Sequence, residues 1–367
     1  MVLIIIIALV GLIVLHEFGH FILAKKFGVK VEEFGVGYPP RLFGRKFGET
    51  LYSLNLIPFG AFVKIQGEIG GLEDYRSFSG KPIYQRVLIV LGGVVSFWIV
   101  AAVIMTLIAG VWGLPTIVGD EENKNLVDPK VNILTISAGS PAEASGLKVG
   151  DIILSIGYQQ ETIEASKIKD VQEFIGGHKE KEINLLIKRG NDTLEKKVFT
   201  RSSPPDGQGP IGVGLARMAL KQYPWYLAPV QGITATVSLT LNVVQGWIVG
   251  IKSALGLAKL PQGVKMEMMG PVGIFSLLSE YYQLGINYFL YLVALISVAL
   301  ALTNILPIPS LDGGKLLFLA IEKIKGKPID QKIEQNVTAA FFALLIVFII
   351  FITIKFDIPR LGMPKIF

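Results

Sequence analysis

The chain has 367 residues, of which 51% are hydrophobic and only 17% are charged. Soluble domains carry about 25% charged residues, so this balance excludes an ordinary water-soluble globule. The absence of cysteine excludes disulfide bonds and thiolate metal sites, which leaves three histidines and the carboxylates as candidate metal ligands. The net charge of +6 is modest, and we expect no nucleic-acid partner.

Four long apolar segments predict four transmembrane helices. A span needs about 20 predominantly apolar residues, and this length is met by residues 2–24, 87–119, 281–311 and 335–354. The first segment lacks the basic start and the small-residue cleavage site of a signal peptide, so we expect it to stay in the mature protein. The sequence therefore predicts a polytopic α-helical membrane protein in contact with a lipid bilayer.

A fifth uncharged segment, residues 222–251, has a different pattern. Its large apolar residues recur every three or four positions, while threonine, asparagine and glutamine occupy many of the others. Such a stripe is typical of an amphipathic helix that lies in the membrane interface rather than across the membrane. We therefore interpret residues 217–280 as an amphipathic interfacial linker and predict four spans.

Basic residues give the expected orientation of the spans. Lysine and arginine residues are frequent in the connection between the first and second spans, and again between the third and fourth. The positive-inside rule assigns both connections to the cytoplasm. Both termini and residues 120–221 are then expected outside the cytoplasm.

Residues 117–216 have the composition of a soluble α+β domain. Residues 131–136 have the pattern of a strand, and Ser140 followed by Pro141 predicts the start of a short helix. With a glycine-punctuated turn and a second strand at 146–156, this stretch resembles a PDZ domain of the bacterial protease-associated type. The resemblance implies that an extended peptide binds at a sheet edge. A purely steric filter over the membrane domain is the open alternative.

The connection between the first two spans has the composition of strands. Residues 31–37 and 51–66 are rich in Val, Phe, Tyr and Ile and are broken by Gly and Pro. Unpaired strand backbone is costly in lipid, so we predict a membrane-associated β-hairpin that packs on protein or pairs with an extended substrate. A small hairpin of no chemical consequence is the alternative. We assign the hairpin and the first two spans to one domain, residues 1–116.

The first predicted span contains an HExxH motif, His16-Glu17-Phe18-Gly19-His20. Histidines at i and i+4 share one helix face and can hold one zinc ion, while Glu17 can take a proton from a metal-bound water. Ionisable groups inside a span are functional by default. The helix rises about 13 Å from His16 to Lys25, so we expect the motif within the bilayer, towards the cytoplasmic face.

A third ligand is expected because a catalytic zinc site has three protein ligands and one open position. The remaining histidine, His178, belongs to the predicted outer domain, so a carboxylate is the better candidate. Asp312 directly follows the third span. With four spans, Asp312 returns to the membrane face of His16 and His20, whereas a fifth span would put it at the opposite face.

Asp312 belongs to the segment Asn304-Ile305-Leu306-Pro307-Ile308-Pro309-Ser310-Leu311-Asp312-Gly313-Gly314. In the simplest alternative, Asp312 only caps a helix that begins near Gly313. That role is compatible with metal ligation, but it would not need the two prolines. We assign the third and fourth spans to a domain comprising residues 281–367.

With these motifs, the chain resembles the site-2 protease family of intramembrane zinc metalloproteases, and most closely its bacterial regulator-of-sigma-E type. The resemblance implies Zn²⁺ as cofactor, a multi-pass protein of the bacterial inner (cytoplasmic) membrane, and an extracytoplasmic PDZ domain. It also implies substrates that are single-span transmembrane proteins or peptides, such as anti-sigma factors or remnant signal peptides.

The resemblance further implies a set of substrate-binding residues. Pro58-Phe59-Gly60-Ala61-Phe62-Val63 is similar to a family strand that pairs with the substrate backbone, which selects Gly60, Ala61, Phe62 and Val63. The family segment around Asp312 adds Asn304, Pro307 and Pro309. The second span departs from the family, because Gly92-Gly93-Val94-Val95-Ser96 lacks the proline and asparagine of the Gly-Pro-x-x-Asn motif.

The leading hypothesis is therefore hydrolysis of a peptide bond in or near the bilayer, with Glu17 as general base. A non-catalytic membrane scaffold that recruits partners through its PDZ domain is the alternative. A metal-dependent transporter fits less well, because the polar residues cluster at one membrane face and no inverted repeat is evident.

Overall fold

The computed structural model describes residues 1–68, 74–121, 126–190, 192–205, 207–257 and 268–360, except for the side chains of Phe59 and Arg360. The chain forms two compact units. Unit 1 comprises Met1–Met105, Ile233–Val243 and Glu267–Phe367, and unit 2 comprises Thr106–Gly232 and Val244–Met266. The predicted linker and C-terminal domain include residues 258–267 and 361–367, which lie outside the described part of the chain.

Helices and strands alternate in the first half of the chain. In order they are α1 (Val2–Lys26), β1 (Val31–Phe47), β2 (Thr50–Ile65), α2 (Ile83–Val111), β3 (Leu114–Ile117), β4 (Leu126–Ile136), α3 (Pro141–Ala144), β5 (Ile152–Tyr158), β6 (Glu161–Glu164), α4 (Ile168–Gly177), β7 (Glu182–Arg189), β8 (Asp192–Phe199) and β9 (Val213–Lys221). Helices follow: α5 (Ala228–Ala254), α6 (Pro271–Leu284), α7 (Ile286–Asn304), α8 (Asp312–Lys325) and α9 (Gln331–Ile352). The last continues as a π-helical turn (Thr353–Asp357) and α10 (Ile358–Arg360).

Five of the described helices are long and apolar enough to cross a membrane: α1, α2, α5, α7, and α9 with its π-helical turn. The protein is therefore a multi-pass helical membrane protein that also contains β-sheets. Four of these helices overlap the four predicted spans. The fifth, α5, overlaps the segment predicted to lie in the interface. Its length and composition also suit a crossing, so the count of four spans stays a prediction.

Two predicted spans are shorter as helices than their apolar runs. Helix α2 ends at Val111, since Gly113 adopts φ +93° and the residues after it pair with β9 as strand β3. The third run is divided at Gly285, where φ is +138°, into α6 and α7. Helix α7 ends at Asn304, just before a segment with two prolines, which cannot continue a helix.

Strands β1 and β2 of unit 1 form one sheet. Each strand is long enough for two of its segments to pair with the other strand. Residues 31–36 of β1 pair in antiparallel register with residues 61–65 of β2, and residues 41–47 pair in antiparallel register with 50–55. On their other side, residues 33–36 lie beside residues 51–54 with the partner positions increasing in the same direction. The order across the sheet is 61–65, 31–38, 50–57 and 41–47. Residues 61–65 thus form one edge of the sheet, and β2 packs against α1.

The turn between β1 and β2 is attached to the C-terminal end of α1. Glu49 accepts a hydrogen bond from Lys25 Nζ at 2.8 Å and another from the Arg76 guanidinium. These hydrogen bonds lower the pKa of Glu49 to about 2, which keeps the carboxylate charged. The ion-pair cluster therefore fixes how the sheet lies along α1.

The helical core of unit 1 joins α1, α2, α6 and α7. Its buried members are all apolar, so these helices bury their side chains against one another: Ile5, Leu12, Val94, Phe97, Leu278, Phe289, Leu292, Val293 and Ala301. The centre of α5 also contacts α2 within unit 1, where Trp98 Nε1 donates to Thr240 Oγ1 at 3.2 Å.

Unit 2 contains a seven-stranded antiparallel sheet in the order β3-β9-β4-β5-β7-β8, with β6 paired to β5. As predicted, residues 131–136 are strand, and the Ser140 side chain caps α3 by accepting a hydrogen bond from Glu143 N–H. The sheet begins at Leu114 and ends at Lys221, slightly beyond the predicted domain 117–216. The third histidine, His178, lies in this unit and donates from Nδ1 to Phe174 O at 2.8 Å.

Candidate metal centre

The three residues predicted as metal ligands meet in unit 1. His16 Nε2 lies 3.3 Å from Asp312 Oδ2, and His20 Nε2 lies 3.5 Å from Asp312 Oδ1. The two Nε2 atoms are 3.3 Å apart. Residues from the two ends of the chain thus direct two imidazole nitrogens and a carboxylate at one point.

These distances fit a shared zinc ion. With ligand bonds of about 2.0–2.1 Å in tetrahedral geometry, neighbouring ligand atoms lie about 3.3–3.4 Å apart. Asp312 Oδ2 is buried and accepts no hydrogen bond from the described residues. A buried carboxylate oxygen without a donor needs a cation, and two imidazoles with one carboxylate are a common zinc ligand set. The site therefore fits zinc.

Helix α1 and its neighbour α2 orient the two imidazoles. Both side chains face the protein interior, and His16 stacks on Phe97 of α2 with ring centroids 4.6 Å apart. His20 Nδ1 lies 2.9 Å from Ile89 O. Since a carbonyl oxygen can only accept, Nδ1 carries the proton and Nε2 keeps a free electron pair for a metal.

The glycine pair of α2 allows this close approach of the two helices. A Cβ at Gly92 would overlap the Gly19 backbone, and a Cβ at Gly93 would overlap the His20 ring. The segment that departs from the family motif therefore has a packing role against the metal ligands. Neighbouring Ser96 donates from Oγ to Gly93 O at 2.6 Å.

We expect Gly93→Ala to weaken zinc binding, because the added methyl group displaces the His20 ring from the shared metal position. Loss of a supporting contact around a metal ligand typically costs about 10–100-fold in affinity. Competition with a chromogenic chelator measures the change. Gly11→Ala in α1 is the matched control, because a Cβ there meets no atom within 4 Å. Equal affinities for the two variants would contradict the packing role.

Asp312 is the first residue of α8, and residue Leu311 precedes it as the N-cap. Asp312 therefore does not occupy the cap position that the alternative gave it, and its Oδ2 accepts no hydrogen bond within the described chain. The two glycines after it pack tightly on the preceding turn. A Cβ at Gly313 would overlap Leu306 O, and one at Gly314 would overlap Ile308 O. This compact turn directs Asp312 back towards α1.

Glu17 lies beside the ligand cluster and is held by the sheet edge. Its Oε2 accepts a hydrogen bond from Val63 N–H at 3.0 Å. Glu17 also lines a cavity of about 1240 Å³ together with His16 and Asp312. A carboxylate in this position has access to the space in which a water and a peptide bond would react.

The predicted substrate-binding residues are distributed differently around this cavity. Asn304 and Pro309 line it, whereas Pro307 is exposed and is not among its described lining residues. The strand residues Gly60, Ala61, Phe62 and Val63 are also not among those residues. Ala61, Phe62 and Val63 belong to the sheet edge, Gly60 directly precedes it, and Val63 is joined to Glu17 by the hydrogen bond above.

Two ion pairs near the centre were missed by sequence analysis. Arg86 of α2 pairs with Glu322 of α8, and both side chains are largely buried. Lys315, one turn after Asp312, donates to Glu68 Oε1 at 2.6 Å. The only sequence signal was the presence of charge near predicted spans, because nothing local identifies partners more than 200 positions apart.

Apolar helices that enclose two imidazoles, one carboxylate and an adjacent glutamate define the class of membrane-embedded zinc hydrolases. The chain belongs to peptidase family M50, whose family model matches residues 4–348. The regulator of sigma-W protease RasP of Bacillus subtilis is 28% identical over 95% of this chain and 96% of its own length. A Clostridium perfringens protein named as a zinc metalloprotease is 35% identical over 94% of this chain and 95% of its own.

These findings confirm the family, the activity and the cofactor predicted from the sequence. The chain is an intramembrane zinc metalloprotease, and Zn²⁺ is its cofactor. The alternative of a non-catalytic scaffold is not supported.

Proposed function

We propose that this protease cleaves single-span transmembrane proteins or peptides at a zinc centre formed by His16, His20 and Asp312, with Glu17 as general base. The convergence of the three ligands at distances of 3.3–3.5 Å carries the proposal. A hydrogen bond and a stacked ring fix the imidazoles before any substrate binds, and such preorganisation is what catalysis by a metal site needs.

The chemistry divides between the cofactor and the chain. Zinc, when bound, supplies Lewis-acid activation of a water and of the scissile carbonyl. Glu17 takes one proton from the attacking water and delivers it to the nitrogen of the leaving amine. The peptide bond is thereby replaced by a carboxyl group and an amine. Asn304 lies at the same cavity and can donate a hydrogen bond to the carbonyl oxygen as charge develops on it.

Substrate would bind as an added strand at the edge formed by residues 61–65. A helical substrate hides its scissile bond, so it must unwind, and new strand hydrogen bonds offset those lost from the helix. Ala61, Phe62 and Val63 belong to this edge, Gly60 directly precedes it, and Val63 contacts Glu17. Pro307 and Pro309 shape the turn between the end of α7 and Asp312.

The substrate class follows from the membrane location of the centre and from one relative. The Bacillus subtilis protein is named as a regulator of sigma-W. We propose anti-sigma factors or remnant signal peptides as the substrates of this chain. Residues 117–216 would serve as the PDZ domain of the protein and either bind an extended peptide at a sheet edge or act as a size filter.

We further propose four spans, α1, α2, α7 and α9, in the bacterial inner membrane, with the PDZ domain of residues 117–216 outside the cytoplasm. His16, His20 and Asp312 share one centre only if α7 ends at the membrane face towards which α1 runs. Asp357, at the far end of α9, accepts a hydrogen bond from Gly270 N–H at 2.9 Å. This bond joins the start of α6 to the end of the last span, which the proposed topology assigns to the outer side. It therefore supports a topology in which α5 does not cross the membrane.

The absence of cysteine makes this topology directly testable. A single cysteine at Met268, just before α6, is expected to react with a membrane-impermeant maleimide applied from outside, and one at Lys327 is not. Lysis before labelling should make both cysteines reactive. Protection of position 268 in intact cells together with labelling of position 327 would contradict the proposed orientation.

The function is tested with purified protein in liposomes that also contain a tagged single-span substrate. We expect cleavage within or near the span, loss of cleavage with a zinc chelator, and recovery when zinc is added back. Stoichiometric zinc without cleavage of any single-span substrate would contradict the proposed substrate class.

A further inference from the structure

The hydrogen bond between Glu17 and Val63 joins the proposed base to the proposed substrate-binding edge. It runs from the main-chain N–H of β2 to Glu17 Oε2 and measures 3.0 Å. The base is therefore held by the same strand that would receive a substrate.

The pairing of β2 shows which of its groups are open to an added strand. Residues 61–65 pair with β1 on one side only. In an antiparallel pair, successive residues direct their N–H and C=O groups alternately towards the partner and away from it. Because Val63 N–H points to Glu17, it points away from β1. Ala61, two positions earlier, then directs its N–H and C=O away from β1 as well, although the residue as a whole is buried.

An added strand and Glu17 compete for one hydrogen. A strand that extends along the open edge needs the N–H groups of both Ala61 and Val63 to form its ladder. The Val63 hydrogen can form one strong hydrogen bond, so complete pairing requires Glu17 to give it up. Partial pairing at Ala61 alone leaves Glu17 where it is.

We propose that Val63 N–H is a positioning group that holds Glu17 in the free enzyme and that a paired substrate strand releases the carboxylate for catalysis. This inference rests on the proposed role of Glu17 as base. It makes strand formation a condition for turnover. A segment that stays helical, or whose backbone cannot pair, leaves the base held by the enzyme. Substrate choice then depends on how readily a segment unwinds beside Val63.

The test is infrared difference spectroscopy of the zinc-loaded protein in detergent. Glu17→Gln identifies the Glu17 carboxylate band by its loss. Replacing the Val63 N–H by an ester oxygen, through incorporation of the hydroxy acid analogue of valine, is expected to shift that band. The matched ester at Ala61 removes an N–H on the same edge without contacting Glu17 and is expected to leave the band in place.

The probe is an apolar ten-residue peptide compared with the same peptide N-methylated at alternate residues. The unmodified peptide should move the wild-type band to its position in the Val63 ester, and the methylated peptide should not. The inference is overturned if the unmodified peptide does not shift the Glu17 band, or if both peptides shift it equally. Full cleavage by Glu17→Gln would instead refute the assignment of the base, so the two failures are distinguishable.

Discussion

Glu17→Gln is expected to retain zinc and to lose nearly all cleavage. The amide keeps the shape of the side chain and can still contact Val63, but it cannot take a proton from water. General acid–base catalysis contributes about 10²–10⁴-fold, so a decrease of that size in kcat is expected. Because Glu17 is not one of the three converging ligands, the zinc content should stay at one ion per chain.

The measurement compares single-turnover cleavage of a tagged substrate in liposomes with zinc content determined by atomic spectroscopy. Glu334→Gln is a suitable control, since this carboxylate lines the same cavity but belongs to α9. If Glu17 contributed only negative charge to the cavity, the two variants would lose the same fraction of cleavage activity. Full activity of Glu17→Gln with zinc bound would refute its role as base.

The sequence contained enough information to identify the metal ligands because their constraints are local or topological. His16 and His20 share a helix face whatever surrounds them, since four residues make about one turn. Asp312 was identified by counting spans, and that reasoning did not require any knowledge of side-chain packing. The structure brings these three residues together, and their role as ligands is the proposal that the zinc experiments test.

The groups that orient the ligands could not be predicted, because they depend on how distant segments pack. The Ile89 carbonyl that accepts from His20 is an ordinary backbone group with no sequence signature. Gly93 was noticed only as a departure from a family motif, although a glycine pair in an apolar span is a signal of close helix approach. In the sequence, Arg86 and Glu322 are two single charged residues with no visible relation. The ion pair between them forms only in the folded chain.

Helix ends were the other main difference between sequence and structure. Apolar runs indicated where spans occur, but hydropathy does not distinguish an apolar helix from an apolar strand. Leu114 to Ile117 became a strand because β9 supplied hydrogen-bond partners. Gly285 divided one predicted span, since its positive φ interrupts the helix between α6 and α7. Both differences lie outside the metal centre and leave its ligands unchanged.

Asp312→Ala is expected to abolish zinc binding at micromolar metal as well as cleavage. It removes the only anionic member of the three-ligand set and leaves two imidazoles facing one another at 3.3 Å between Nε2 atoms. The loss should exceed the 10–100-fold that is typical of removing a supporting contact. Zinc bound to the folded protein also stabilises it by mass action, so a chelator should lower the Tm of wild type and leave the Tm of this variant unchanged.

Asp330→Ala provides the matched control for that experiment. Asp330 also lies at a helix start, where its Oδ1 accepts from Lys332 N–H at 2.9 Å, but it is the N-cap of α9 and is exposed. This variant is expected to retain one zinc per chain and a chelator-sensitive Tm. If Asp312→Ala also kept both properties, a different group would have to supply the third ligand. The distances of 3.3 and 3.5 Å between Asp312 and the two histidines argue against that outcome.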